Sequence, residues 1–392
     1  MKIIDGRLAV LAMIICCGLT APVQAADPRA YMHGIEAVAA PDGGAWIFFS
    51  SSGLPPAGPD ADRDWTHDVY RARWKPADAA IGTPEIFIQN PEAQEPVAAA
   101  QMPDGRIMLT FEDAWNTDRQ VNQRYGVYGP DLTPVAPYPR IVARGGHSGH
   151  AAAAGNHFVV FYSEGWINKG GVDNLGTGNG VYARIYDSAG RVLRSVSVAR
   201  RRREWWPMIA GSGSHALLAW QQYVPKQTYA KLKIALLDPE NGALSAMRVL
   251  RDQVQYYTYK PVYVPAIDRF LVTGAGIDGK GFAYLIDHDG RIAAELPCMP
   301  PPVREAGITV DGAMAYTPSQ NNRLLHLEMT PDSIILKAMQ PSSIEWGTTG
   351  SIGLMRGEDH LHWVALSREG LKEADFDLRE ATEPTAADRC AE

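Results

Sequence analysis

Seven times along the chain, a stretch of small residues gives way to a polar turn and then to a bulky apolar stretch. In order these are HGIEAVAAPDGGAWIFFS from His33, EPVAAAQMPDGRIMLTFED from Glu95, HSGHAAAAGNHFVVFYSE from His147 and WWPMIAGSGSHALLAWQQ from Trp205. YKPVYVPAIDRFLVTGAG from Tyr259, REAGITVDGAMAYTPS from Arg304 and TGSIGLMRGEDHLHWVALS from Thr349 complete the set. They begin roughly every 45 to 60 residues, a period that marks a repeat architecture. Short apolar runs bounded by Gly, Pro, Asn and Asp predict strands. Pro-Asp-Gly, Asp-Gly and Gly-Gly supply the hairpin turns. Most units continue into further strand patterns, such as GVYARIYD followed by RVLRSVSV, AKLKIALLD, and GFAYLIDHDGRIAAEL. No long amphipathic helix pattern interrupts the series.

A unit of four short antiparallel strands repeated radially is a propeller blade. Seven units predict an all-β, seven-bladed β-propeller forming one domain over residues 26–380. Small first strands suit the crowded axis, and bulky second strands suit the space between blades. The seventh unit has a third strand near residues 371–378 and no clear fourth. Residues 29–33 are expected to supply it and close the ring. Residues 381–392 read as a polar tail.

The start of the chain changes the picture of where the protein works. Lys2 and Arg7 precede an apolar run over residues 8–19, and Val23, Gln24 and Ala25 form a small-residue cleavage site. Residues 1–25 therefore read as a secretory signal peptide, and the expectation is a secreted or periplasmic protein with no membrane segment after cleavage. Cys16 and Cys17 lie in that leader, which leaves Cys298 and Cys390. In an oxidising compartment these two can pair, and two unpaired thiols is the equal alternative. The formal net charge of −7 argues against nonspecific nucleic-acid binding. It does not exclude a polyanionic ligand, because a local basic cluster makes its own field.

In a propeller the first strands all start on one face, and the loops between second and third strands open there too. The strand starts bring His33, Glu95, His147, His150, Trp205, Trp206, Tyr257, Tyr259, Lys260 and Arg304 to that rim. The loops bring Glu112, Asp113, Trp115, Glu164, Trp166, Asn168 and Tyr223. Aromatic platforms beside charged side chains suit an acidic oligosaccharide. Bland readings stand beside this one. Two histidines three apart also suit strand-start residues satisfied by backbone. As metal ligands they lack a third partner nearby in sequence, so a structural divalent metal stays open and no other cofactor is implied. Residues 200–203, including Arg203, suit a solvated loop as well as a binding patch. Tyr256, Tyr257 and Tyr259 also suit blade packing. No nucleophile elbow and no sialidase-type Asp-box repeat is present.

The run GGHSGHAAAAGNHFVVFYSEGW, then GVDNLG, then WWPMIAG, resembles the seven-bladed propeller polysaccharide lyases, in particular the ulvan lyases. The resemblance covers the second to fifth units. It implies β-elimination on a uronic-acid-containing, often sulfated polysaccharide; apart from the resemblance, a monomer is expected. It implies histidine and tyrosine as acid and base, with a basic residue on the uronate carboxylate. His147 and His150 match the family's histidine motif. Where the family has a further histidine after the SEGW strand, this chain has Trp166, Ile167 and Asn168. Arg203, Lys260 and Arg304 are candidates for the basic residue by position. Elimination needs a base, an acid for the leaving oxygen and a cation for the developing charge. Two other classes remain open. Hydrolysis would use paired carboxylates, with Glu95, Glu112, Asp113 and Glu164 as candidates. A carbohydrate-binding propeller without chemistry needs only the aromatics.

Overall fold

The computed structural model describes residues 29, 31–53, 66–113, 121–164, 180–200 and 204–389. Seven antiparallel sheets follow one another along the chain. Blade one holds β1 (Met32–Ala39), β2 (Ala45–Ser51), β3 (Asp68–Trp74) and β4 (Glu85–Ile88). Blade two holds β5 (Glu95–Gln101), β6 (Ile107–Asp113), β7 (Asn122–Tyr128) and β8 (Pro134–Arg144). Blade three holds β9 (Gly146–Ala154), β10 (His157–Glu164), β11 (Gly180–Tyr186) and β12 (Val192–Ala199). Blade four holds β13 (Glu204–Gly211), β14 (Ala216–Tyr223), β15 (Ala230–Leu237) and β16 (Arg248–Val254). Blade five holds β17 (Lys260–Val264), β18 (Arg269–Ala275), β19 (Gly281–Ile286) and β20 (Ile292–Met299). Blade six holds β21 (Thr309–Asp311), β22 (Met314–Pro318), β23 (Arg323–Thr330) and β24 (Ser333–Pro341). Blade seven holds β25 (Ser351–Met355), β26 (His360–Ser367) and β27 (Gly370–Asp377). The seven-bladed β-propeller expected from the repeats is the fold observed.

The core is divided into seven clusters, one at each seam between neighbouring blades. Strand β2 shows why. Its side chains alternate between faces. Ile47 and Phe49 enter the seam with blade seven, while Phe48 enters the seam with blade two. Both faces of a blade are buried, so its second strand is apolar throughout. First strands must be small for a different reason. They crowd the axis so closely that a Cβ on Gly211 of β13 would lie 1.8 Å from the carbonyl oxygen of Ala153 in β9. The seven first strands enclose an axial channel of about 490 Å3, lined largely by alanine and glycine.

The ring closes differently from the expectation. Met32 and His33 do not add a strand to blade seven. They pair with Ser51 and Ser50 as the start of blade one's own inner strand. Among the described residues blade seven has three strands. One backbone bond, from the Gly34 N–H to the Thr349 carbonyl at 2.9 Å, and several side chains join it to blade one instead. His362 of β26 stacks on Trp74 at 6.0 Å, and Glu373 of β27 accepts the backbone N–H of Ile81 at 2.9 Å. Arg356 donates to the Asp78 carbonyl. Cys298 is disulfide-bonded. The chain's other cysteines lie outside the described residues, and so does the expected partner, Cys390.

Candidate functional site

The inner strands share a local deformation that sets the geometry of the channel mouth. At the start of six blades one residue adopts a left-handed backbone: Gly34, Ser148, Trp206, Tyr257, Glu305 and Gly350, with φ between 53° and 134°. Register slips there, as between His33 and Ile35 or between Trp205 and Met208. Such bulges re-aim the side chains around them. For Ser148, Trp206, Tyr257 and Glu305 the conformation costs on the order of 1–3 kcal/mol each, and strain of this kind clusters at functional sites.

Two constellations result. The first is a bridge of charges. His33 of blade one sets Nδ1 2.8 Å from Oε2 of Glu95 in blade two and Nε2 3.1 Å from Oε2 of Glu305 in blade six. Burial disfavours the charged ring, but the carboxylates of Glu305 and Glu95 outweigh it and raise its pKa to about 9. The second is a file of rings. The Arg304 guanidinium lies 4.3 Å over the Tyr257 ring, Tyr257 meets Trp206 edge-on at 4.5 Å, and Trp206 meets His150 at 5.9 Å. Consecutive blades six, five, four and three each contribute one residue. The Trp205 indole N–H donates to the Tyr257 hydroxyl at 3.4 Å.

His150, Trp206, Lys260 and Glu305 line a small cavity of about 40 Å3 beneath this file. Lys260 is paired with Glu36 at 3.1 Å, and both residues also line the axial channel. Burial and the Lys260 charge lower the pKa of His150, which keeps its ring neutral. Its Nδ1 lies 3.1 Å from the Ser148 carbonyl oxygen. His147 sits deeper. Burial, with the charges of His33 and Arg29, lowers its pKa to about 3. Its Nε2 is 3.7 Å from a Glu112 oxygen, and Nδ1 faces the Ser148 hydroxyl. Glu112 also accepts the Ser148 backbone N–H. Ser148 is 1% exposed, so this Ser-His-Glu file orders the bulge and offers no open nucleophile.

No protein-family model matches the chain, and no curated protein matches it in sequence. Its structure is similar to the WD40 domain of coronin from Toxoplasma gondii, with a TM-score of 0.52 at 11% identity, over 91% of this chain and 90% of that one. This likeness is one of fold. The NanB sialidase of Streptococcus pneumoniae aligns over 90% of this chain and 69% of its own, with a TM-score of 0.48 at 9% identity.

Of the residues singled out in the sequence, His147, His150, Trp205, Trp206, Tyr257, Lys260, Glu95 and Arg304 do meet at the mouth. Tyr259 reaches it differently from the expectation. It is buried, and its hydroxyl donates to the Trp206 carbonyl, while burial pushes its pKa well up. It therefore braces the left-handed turn at Trp206 and is unsuited to moving a proton. Tyr223 stands behind Trp205 at 6.5 Å. Glu164 pairs with Gly146 along the strand, as the hairpin predicts, but its carboxyl is raised in pKa by burial and meets the charges of Arg184 and Arg200. Trp115, Trp166, Asn168 and Arg203 lie outside the described residues. Among the described residues no group of three or more His, Cys, Asp or Glu side chains is placed to hold a metal ion. His33 and Glu305 carry the central bridge. Position alone marked His33, as the first residue of its repeat. Nothing marked Glu305, whose partner is 272 residues away.

Proposed function

We propose that the protein is an exported lyase that binds a uronate-containing polysaccharide at the channel mouth and cleaves it by β-elimination. The observation that carries this reading is the file Arg304, Tyr257, Trp206, His150. It offers a cation, a phenol, an apolar platform and a neutral imidazole in one row. Elimination removes the proton beside the uronate carboxylate, forms a carbon–carbon double bond and breaks the bond to the leaving oxygen, which takes a proton. Neutral His150 suits the base, and the Tyr257 hydroxyl suits the proton donor. Arg304 suits the carboxylate, whose negative charge grows as the proton leaves, while Lys260 is held by Glu36. The hydrolase alternative finds less support, because three of its four candidate carboxylates already answer neighbours. Glu95 is given to His33, Glu112 to Ser148, and Asp113 to Arg124 at 2.6 Å. The disulfide at Cys298 supports an oxidising compartment and thus export.

The test is a panel of uronic-acid polysaccharides followed by the ultraviolet absorbance of the conjugated double bond. A product with that absorbance is expected, and His150→Ala should lower turnover by about a hundredfold or more with the fold intact. Saturated products would move the protein to the hydrolases. Affinity without any product would make it a binding module.

A further inference from the structure

The bridge at the mouth is buried, crosses between non-adjacent blades and is not used by the chemistry above. We propose that His33 is a positioning residue: a charged strut that leaves the Arg304 guanidinium available to a ligand's carboxylate, and so sets a preference for acidic over neutral sugar chains. The inference rests on reading the mouth as a uronate site.

The geometry carries it. Both ring nitrogens of His33 face carboxylate oxygens, so both must carry hydrogen, and the ring is an imidazolium. The side chains of Glu95 and Glu305 are 1% and 9% exposed. Buried carboxylates need compensation, and His33 is the group that touches both. Glu305 has a second oxygen, Oε1, which meets Arg304 only through Nε, at 3.2 Å. Among the described residues the terminal nitrogens of Arg304 have no hydrogen-bond or ion-pair partner, its guanidinium rests on the Tyr257 ring, and its side chain is 35% exposed. Without the His33 charge, Glu305 would draw the Arg304 fork into a bidentate pair. The nitrogens a ligand needs would then be taken. The neighbouring groups do not substitute for His33. His147 is neutral, and Lys260 answers Glu36. Arg29 acts on Glu305 by its field. The left-handed backbone at Glu305, whose N–H donates to the Tyr257 carbonyl at 3.0 Å, fixes the turn that presents Arg304.

The experiment is titration calorimetry with oligogalacturonate and with the same oligomer fully methyl-esterified, which removes the charge. The wild type is expected to prefer the acid form, and Arg304→Ala to lose that preference by about ten- to a hundredfold. His33→Gln should lose it to a similar degree. The double variant with Glu305→Gln should restore much of it, because the competing carboxylate is gone. If Arg304→Ala loses the preference while folded His33→Gln keeps it, the strut is refuted and the site reading stands. If the wild type shows no preference, the site reading falls and this inference with it. The ring state is a check that needs no variant. At about pH 8 the nitrogen-15 spectrum should show His33 doubly protonated, and a neutral ring would overturn the proposal.

Discussion

The single residue on which the proposed chemistry turns is His150. A base must be unprotonated, and here burial first and Lys260 second hold the proton off, against the field of Glu36 and hydrogen bonds to the Ser148 and Pro207 backbone. The acid limb of kcat/KM against pH should therefore lie below the ordinary histidine value of about 6.5. Lys260→Met removes one of the two causes, so it should move the limb upward. A wild-type limb at or above 6.5, or an unmoved limb in Lys260→Met, would contradict the assignment. At this scale the sequence was partly legible. Repeats in register place every strand start at one mouth, which is enough to find His147, His150, Lys260 and Arg304. It does not reveal the left-handed turns, because only Gly34 and Gly350 advertise them. At Ser148, Trp206, Tyr257 and Glu305 the conformation is imposed by contacts from other blades, such as the Tyr259 hydroxyl on the Trp206 carbonyl. Local sequence carries no trace of that.

Among the elements, the first strands are the most tightly constrained. Gly211 in β13 and Gly307, just before β21, sit where a side chain would run into backbone, at 1.8 Å from the Ala153 carbonyl and 2.1 Å from that of Ser351. Backbone cannot step aside as a flexible side chain can. Gly211→Val should therefore destabilise by about 1–3 kcal/mol or more. Gly213→Ala, in the next turn with no atom within 4 Å of the new Cβ, should be close to neutral. Denaturant midpoints of the two variants decide the matter, and equal effects would refute the crowding argument. This feature was legible from composition, since a run of small residues beside an apolar run has few other packing solutions. The closing strand was not. A missing fourth strand at one end of a repeat series suggests a donor from the other end, but Met32 and His33 were already committed to β1.

For the whole molecule the seam between blades seven and one is the place where the ring closes, through one backbone bond and several side chains. His362 bonds Asp375 through Nδ1 at 2.9 Å and Glu373 through Nε2 at 2.8 Å while stacking on Trp74. Burial opposes the charged ring, but the two carboxylates prevail and its pKa is raised. A raised pKa contributes stability that is complete below the unfolded value, about 6.5, and lost as pH rises through the folded value. The melting temperature of the wild type should exceed that of His362→Gln most below pH 6.5, and the gap should narrow in mildly alkaline buffer. The pKa of His33 is raised as well, so the difference between the two proteins is the quantity to follow. A gap that widens with pH would refute the linkage. Each blade, for its part, is made of consecutive residues, and among the described residues none lends a strand to the far end of the chain. Within the propeller the starting point is therefore arbitrary: joining residues 31 and 389 and cutting at residues 89–94 would permute the blades without dividing a sheet. The number of blades is less free to drift. A duplicated eighth unit would widen the ring and carry His33 out of reach of Glu305, so a descendant that gained a blade would inherit the scaffold and lose the mouth.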